Sequence, residues 1–279
     1  MLNYNHAFHA GNHADILKHI CLIYFIKSIK KPDNSIFYAD THAGCGIYPL
    51  ENEYMKKTAV YESDINKLLY IKAKDPFLRF YLKTIKNINQ SNKIKFYPGS
   101  PKIIQYLTNT NDEIYFFEIS KKECRLLKKN FSKYANIKIT NKDSFIILDK
   151  KLINKDKKGL ILIDPSYEIQ DDYQKVIKFI KENLNKFENK IIIVWYPVFN
   201  REDTNKFIEQ FKMTGIQNIL RIEMPINSDN EEKDMNGSGL IVLNAHQKTR
   251  KSLKSTILEL QSNLQLKDNK KKVIVNYLR

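Results

Sequence analysis

Cysteine is scarce in this sequence, and no apolar run is long enough to cross a membrane. Only three cysteines, Cys21, Cys45 and Cys124, occur in 279 residues, and no two have the spacing of a zinc-ligand pair. This scatter argues against a disulfide framework and fits a reducing compartment. The amino terminus also lacks the apolar core of a signal peptide. We therefore expect a soluble, cytoplasmic protein.

Acidic residues are too few to balance the basic ones. The chain has 31 Asp and Glu against 47 Lys and Arg, which gives a formal net charge of +16 and a pI near 9.5. Such a field attracts polyanions, and nucleic acid is the first partner to consider. A proteome rich in Lys, Ile and Asn would also make every surface basic, so charge alone leaves the partner open.

Apolar strands and amphipathic helices alternate along most of the chain. Hydrophobic residues make up 42% and aromatic residues 11%, enough for a packed core. Strands are predicted at 35–40, 113–120, 136–143, 159–167, 190–198, 219–226 and 239–245, and helices at 13–30, 101–109, 121–134, 144–153, 171–187 and 203–213. The alternation predicts an α/β fold with an open, mostly parallel seven-stranded sheet, helices on both faces and a closing antiparallel hairpin.

The stretch from 50 to 92 is highly charged, with a helical pattern and no predicted strand. It predicts a small helical subdomain inserted into a main domain made of 1–49 and 93–279. Within the main domain, residues 1–19 are expected to pack over the active site.

Carboxylates stand at the ends of four successive predicted strands: Asp40, Glu118, Asp143 and Asp164. In open α/β sheets, ligands bind outside the carboxyl ends of the strands. Acids crowded into one crevice repel each other, so they point to a ligand rich in hydroxyl groups, amines or positive charge.

A glycine turn follows the first strand, with Gly44 and Gly46 two residues apart. A dinucleotide fingerprint would have a third glycine where this chain has Pro49. The turn therefore favours an adenosyl group over a pyrophosphate, with Glu118 accepting hydrogen bonds from both ribose hydroxyls. Asp143 has two open roles: it could accept a hydrogen bond from an adenine amino group, or it could cap the following helix.

The run Asp164-Pro165-Ser166-Tyr167 ends the most apolar strand. The lone pair of an adenine N6 is delocalised into the ring, so this nitrogen is a poor nucleophile. Hydrogen bonds from its two hydrogens to the Asp164 carboxylate and the Pro165 carbonyl would favour a pyramidal nitrogen and aim its lone pair. Tyr167 could stack on the base, which must first leave its own stack. An ordinary Asp-Pro turn at a strand end is the alternative.

The amino-terminal segment holds four of the six histidines, together with Tyr4 and Lys18. Only His9 and His13 have i,i+4 spacing, and no thiol accompanies them, so we expect no metal. The cations and aromatic rings are instead expected to meet RNA or cofactor.

Several segments together carry a family resemblance: MLNYNHAFHAGNHADILKH, DTHAGCGIY, YPGSP, FFEIS, LILIDPSYE and WYPV. With them, the chain resembles the 23S ribosomal RNA adenine-N6 methyltransferases of the RlmJ type. The likeness runs from residue 1 to the strand at 239–245. It implies a Rossmann-like S-adenosylmethionine-dependent methyltransferase fold with a small helical subdomain, acting on a specific adenine of 23S ribosomal RNA.

The resemblance also implies roles for single residues. Asp164 acts on the target amino group, with Pro165 and Tyr167 beside it. Tyr4 meets the RNA, with His6 and Lys18 as helpers. The positions implied to contact S-adenosylmethionine are His19, His42, Ser100, Glu118, Asp143, Ser144 and Asp164. The sequence pattern adds Gly44 and Gly46 of the glycine turn to these cofactor-binding positions. No metal and no membrane partner are expected, and the chain is taken as a monomer.

The chain departs from the family pattern twice. Ser166 stands where the family has a second proline, and Ser144 stands where a glycine is usual. A serine at position 166 leaves the Pro165 carbonyl in place but makes the loop less stiff. We therefore expect it to affect the catalytic rate more than the type of reaction. The Asp-Pro turn recognises an amino group and does not distinguish RNA from DNA. The alternatives are therefore a DNA adenine methyltransferase, an RNA guanine methyltransferase and a non-catalytic RNA-binding protein.

Overall fold

The computed structural model describes residues 10–50, 64–91, 94–148, 156–167, 171–226, 235–264 and 272–278. An eight-stranded sheet in the order β10-β8-β9-β7-β6-β1-β4-β5 organises them. Its strands are β1 Phe37–Asp40, β4 Glu113–Phe117, β5 Ile137–Thr140, β6 Gly159–Ile163, β7 Lys190–Val198, β8 Leu220–Pro225, β9 Gly237–Leu243 and β10 Ile274–Tyr277. A separate antiparallel pair joins β2 (Ile47–Pro49) to β3 (Phe96–Pro98).

The five strands from β5 to β7 are parallel, and the other three are antiparallel. The chain moves outward from β1 through β4 to β5, then returns to the other side of β1 with β6 and β7. This reversal of strand order places a crevice at the carboxyl ends of β1, β4 and β6. The predicted closing hairpin is confirmed as β8 and β9.

Helices cover both faces of the sheet. They are α1 His13–Ile29, α2 Asp64–Leu69, α3 Pro76–Asn89, α4 Ser100–Leu107, α5 Lys121–Phe131, α6 Ser144–Ile147, α7 Asp171–Glu182, α8 Arg201–Lys212 and α9 Thr249–Asn263, with a 3₁₀ turn at Leu184–Lys186. Among the described helices, none is both long and apolar enough to span a bilayer.

Side chains of the central strands alternate between two apolar clusters. Tyr38, Leu160 and Leu162 belong to one cluster, whereas Phe37 and Ile161 belong to the other. Successive residues of a strand point to opposite faces, and a parallel sheet covered by helices buries both. The prediction of helices on both faces is therefore confirmed.

Helix α1 is buried on almost every side. It packs against β6, β7 and β9 and against α2, α3 and α4. Asn12 caps it by accepting a hydrogen bond from the Asp15 amide. Because a helix buried all round normally carries apolar residues alone, its buried polar side chains, Asp15, Lys18 and His19, need partners. These partners lie at the candidate site.

The segment 64–91 contributes α2 and α3, and no strand lies within it. Leu78, Tyr81 and Ile85 of α3 belong to the same apolar cluster as α1. The pairing of β2 with β3 brings the two flanks of this segment together. The domain boundaries at 50 and 92 stay a prediction.

The sheet has one strand more than the seven that the sequence pattern predicts. Strand β10 pairs with β8 as an antiparallel edge strand. Helix α9 and the short β2–β3 pair were not predicted either. The predicted helix 144–153 is described only as far as 148, because residues 149–155 lie outside the described part of the chain.

Candidate functional site

Four carboxylates line the carboxyl edge of the parallel strands. Asp40 is the last residue of β1, Glu118 and Asp164 directly follow β4 and β6, and Asp143 follows β5 by three residues. Because β5, β4, β1 and β6 are neighbours in the sheet, the four acids share one edge. Each predicted strand-end acid thus lies at the crevice where the topology places a ligand site.

The glycine turn after β1 is held against Glu118. Gly44 and Gly46 have φ values of 58° and 76°, in the left-handed region that favours glycine. A Cβ on Gly44 would lie 2.1 Å from the Tyr48 hydroxyl, and one on Gly46 would lie 2.7 Å from the Phe131 ring. Both positions therefore exclude a side chain.

The Glu118 carboxylate accepts two backbone hydrogen bonds, from Gly44 N at 2.8 Å and from Ser120 N at 2.7 Å. Burial raises its pKa above the ordinary value, and the two amides act in the opposite direction. A carboxylate offers about four acceptor positions, so roughly two stay open. This is the capacity that two ribose hydroxyls require.

Asp40 is fully buried, and sequence reasoning gave it no role beyond its place at a strand end. Its carboxylate accepts hydrogen bonds from Ser100 Oγ at 2.6 Å, from the Tyr38 hydroxyl at 3.1 Å and from His42 N at 3.3 Å. Burial raises its pKa to about 6, with a further contribution from Asp164. Ser100, a predicted cofactor contact, thus donates its hydroxyl hydrogen to Asp40.

Asp164 is paired with Lys18 of α1. Lys18 Nζ lies 2.5 Å from Asp164 Oδ2 and 2.9 Å from Asp15 Oδ1, and Lys18 is only 5% exposed. The second oxygen of Asp15 accepts a hydrogen bond from Gly11 N at 3.0 Å. Burial acts to lower the pKa of Lys18, but the two carboxylates outweigh it and hold the pKa above its ordinary value. The ammonium therefore stays charged and fixes the carboxylate.

This placement gives Lys18 a part that sequence reasoning missed. The predicted role was to help Tyr4 meet RNA, whereas the structure buries Lys18 behind Asp164. Tyr4 and His6 lie outside the described residues, so their predicted RNA contacts stay predictions. Asp15 had no predicted role, and no local sequence signal links it to a residue far along the chain.

Tyr167 is tightly held. Its φ of 53° is uncommon for a residue with a side chain. Its hydroxyl donates to the Trp195 carbonyl at 2.7 Å, and its ring lies 4.3 Å from that of Tyr173. With 7% exposure, the ring is packed among aromatic neighbours. Its stacking on a base stays a prediction, which requires one ring face to become accessible.

The remaining predicted cofactor contacts lie in three places. His19 is buried beneath the crevice, with Nδ1 at 2.7 Å from the Tyr97 hydroxyl. His42 lies on the glycine turn, and burial lowers its pKa to about 4, so the ring is neutral at physiological pH. Asp143 caps α6 by accepting a hydrogen bond from Phe145 N at 2.9 Å, and Ser144 is buried beside it.

The predicted role of Asp143 as a helix cap is confirmed, and its predicted role as an acceptor for an adenine amino group stays possible. One carboxylate oxygen accepts from Phe145 N, and the second can still accept from an adenine amino group. The contact with the cofactor adenine stays a prediction.

The family model described as "Ribosomal RNA large subunit methyltransferase D, RlmJ" matches residues 33–274. Ribosomal RNA large subunit methyltransferase J of Escherichia coli K12 is 36% identical over 264 residues, 95% of this chain and 94% of that protein. The protein of the same name from Haemophilus influenzae is 36% identical over 245 residues, 88% of this chain and 87% of that protein.

The chain belongs to the RlmJ family of ribosomal RNA large subunit methyltransferases. A crystal structure of a Legionella pneumophila protein has the same fold, with a TM-score of 0.86 and 30% identity over 96% of this chain and 98% of that chain. The Rossmann-like methyltransferase fold predicted from the sequence is confirmed, and so is the resemblance to this family.

No metal site is evident in the described part of this RlmJ-family chain. There, no three His, Cys, Asp or Glu side chains are arranged to hold an ion. His6 and His9 lie outside the described residues, so the expected absence of a metal stays a prediction.

A surface cleft of about 530 Å³ lies at the other end of the sheet. Its lining includes Arg221 of β8, Arg250 of α9 and Tyr277 of β10. None of these positions lies at the carboxyl end of a parallel strand, so the cleft is separate from the candidate methyltransferase site.

Proposed function

We propose that this protein methylates the N6 amino group of a specific adenine in 23S ribosomal RNA, with S-adenosylmethionine as methyl donor. The observation that carries the proposal is the ion pair between the buried Lys18 and the partly buried Asp164. It fixes an acceptor carboxylate at the end of β6, beside the glycine turn and Glu118. Membership of a ribosomal RNA methyltransferase family supports the choice of substrate.

The residues at the crevice fit S-adenosylmethionine. The glycine turn directly follows β1 at this edge of the sheet, and Gly44 N donates a hydrogen bond to Glu118. Glu118 retains acceptor capacity for ribose hydroxyls, and Asp143 retains it for an adenine amino group. His42 and Ser100 lie on the loop and helix that border the same crevice. When bound, the cofactor supplies an electrophilic methyl group on a sulfonium.

Asp164 has two tasks in this proposal. Its carboxylate and the Pro165 carbonyl accept hydrogen bonds from the target amino group, which localises the nitrogen lone pair. As the new N–C bond forms and the C–S bond breaks, the nitrogen loses one proton, which the Asp164 carboxylate can accept. Lys18 holds that carboxylate in position and stabilises its negative charge.

Other parts of the proposal follow from the substrate. Tyr4 and His6 would contact the RNA, Tyr167 would support the flipped base, and the enzyme would work in the cytoplasm, where bacterial ribosomes are assembled. We propose that it acts as a monomer without a metal.

One experiment separates this function from its alternatives. The protein is incubated with S-adenosylmethionine carrying a labelled methyl group and either unmodified 23S ribosomal RNA or duplex DNA. The product is digested, and the methylated nucleoside is identified. Labelled N6-methyladenosine from the RNA alone is the expected result. Methylated deoxyadenosine or methylguanosine would replace the proposal with a related amino methyltransferase, and binding of RNA without any label would indicate a non-catalytic RNA-binding protein.

A further inference from the structure

Most charged residues of helix α5 are basic. Its eleven residues contain the cations Lys121, Lys122, Arg125, Lys128 and Lys129, with Glu123 as the acid. Cys124, Leu127 and Phe131 form its buried face at i, i+3 and i+7. The cations all lie on the exposed side.

These cations differ from those on helix α8, which pair with acids of their own helix. On α8, Lys206 pairs with Glu202 at 2.6 Å, and Lys212 pairs with Glu209 at 2.5 Å. No cation of α5 makes an ion pair with any described residue. Exposed charges of the same sign without ion-pair partners repel each other, which weakens the helix slightly. A bound polyanion would offset this repulsion.

The opposite side of the helix from its buried face presents Lys122, Arg125 and Lys129, and Lys133 follows in the same direction. We call these four residues the α5 basic face. Lys102 of α4 lies near its end, because the neighbouring Pro101 and Phe131 of α5 both pack against Gly46. Burial, together with the positive charge of Lys133, lowers the pKa of Lys102. The basic face therefore extends over two neighbouring helices.

Helix α5 also borders the candidate site. It begins directly after the Glu118 loop, where Ser120 caps it. Asn130 donates a hydrogen bond to the Cys45 carbonyl of the glycine turn at 3.2 Å, and the Phe131 ring packs against Gly46. A polyanion lying along α5 would thus run next to the crevice.

We propose that the α5 basic face is a docking surface for the phosphate backbone of the RNA that carries the target base. The proposal rests on the proposed function, because it takes the partner to be the methylated RNA. Lysine and arginine contacts to phosphates supply affinity and orientation without reading sequence. The surface would therefore hold the RNA while the crevice selects the base.

A matched control exists at the opposite edge of the sheet. Helix α5 packs against the edge strand β5, whereas α9 packs against β10 and β8. Lys248, Lys251 and Lys254 are exposed at the start of α9. Neutralising three cations at either place removes the same charge, so only the location differs.

The test compares K122Q/R125Q/K129Q with K248Q/K251Q/K254Q. Binding of each variant to an unmodified 23S ribosomal RNA transcript is measured from about 50 to 200 mM salt. We expect the α5 variant to bind roughly tenfold more weakly at low salt, with a salt slope smaller by about two. The α9 variant should stay within about twofold of the wild type, as should the double variant K122R/K129R, which keeps the charge.

Two further readouts complete the design. Glutamine has a helix propensity similar to that of lysine, so the substitutions should preserve the helix. An unchanged calorimetric affinity for S-adenosylmethionine would show that the α5 variant is folded. In turnover, the α5 variant should raise the KM for RNA and leave kcat within about twofold. Equal weakening by the α5 and α9 variants, or none by either, would overturn the docking surface. If the wild type binds the transcript but methylates no adenine in it, the proposed function fails while the binding comparison still decides the surface.

Discussion

Asp164 is the side chain on which the proposed chemistry depends. Asp164→Ala removes a hydrogen-bond acceptor and a proton acceptor, so single-turnover methylation of unmodified 23S ribosomal RNA should slow by roughly a thousandfold. Calorimetric affinity for S-adenosylmethionine should change by a modest factor only. Asp171→Ala, which removes an exposed acid at the start of α7, is the control and should leave the rate unchanged. Turnover that survives in Asp164→Ala would show that the chemistry lies elsewhere.

The Lys18–Asp164 pair gives a prediction about stability. Lys18→Met leaves the buried Asp15 and the partly buried Asp164 without their cation, which should cost about 3–5 kcal/mol in the free energy of unfolding. Adding Asp164→Asn removes one of the uncompensated charges, so the double variant should regain part of that loss. Denaturant unfolding of the four proteins in a double-mutant cycle measures the coupling. Strictly additive losses would mean that the two side chains do not stabilise each other.

Asp40 gives a prediction about pH. Its pKa rises from 3.8 to about 6 in the folded protein, so between these values the native state binds more protons than the unfolded chain. The contribution of Asp40 to the free energy of unfolding is fully present below pH 4 and is lost as the pH rises through 6. His42, with its pKa lowered to about 4, has the opposite effect, so the wild type alone cannot isolate Asp40.

Comparison with Asp40→Asn separates the two residues. The stability of this variant minus that of the wild type should grow by on the order of 2–3 kcal/mol between pH 4 and pH 7. Chemical denaturation at several pH values measures the difference. A difference that is constant with pH would show that Asp40 does not titrate in this range.

Ser166, in the turn after β6, is one of the two positions at which the sequence departs from the pattern that the family resemblance implies. Ser166 is half-buried, and its amide makes no hydrogen bond to the described residues, so a proline there would cost no backbone bond. Ser166→Pro should leave the methylation rate within about tenfold of the wild type and stabilise the fold by up to about 1 kcal/mol. Single-turnover kinetics and thermal unfolding check both values. A wild type that is inert until Ser166 is replaced would indicate a decayed active site.

Helices and strands with strong local patterns could be predicted from the sequence. The strand at 190–198 has the predicted bounds because it is a continuous apolar run, and α1 ends one residue before the predicted position. The four strand-end acids followed from the same patterns. Their common edge followed from the rule that parallel strands end together.

Contacts between distant residues could not be predicted in this way. Lys18 and Asp164 are 146 residues apart, and nothing in either local sequence indicates the pair. Strand β10 exists because β8 offers it an antiparallel partner, which is a property of the folded sheet. Helix α9 is rich in polar residues, so its apolar stripe is faint in the sequence even though Leu253, Ile257 and Leu260 are buried.

The charge of the molecule as a whole sets its response to salt. With a net charge of +16, much of the affinity for RNA should come from counterion release, so the affinity of the wild type should fall by at least about a hundredfold between 50 and 200 mM salt. Titration of an unmodified 23S ribosomal RNA transcript at several salt concentrations measures this slope. The affinity for S-adenosylmethionine provides the internal control. The predicted cofactor contacts lie in a partly buried crevice, where salt screens charges weakly, so the affinity for S-adenosylmethionine should change by no more than about threefold over the same range. A flat salt response for RNA would mean that the basic surface reflects composition and takes no part in binding.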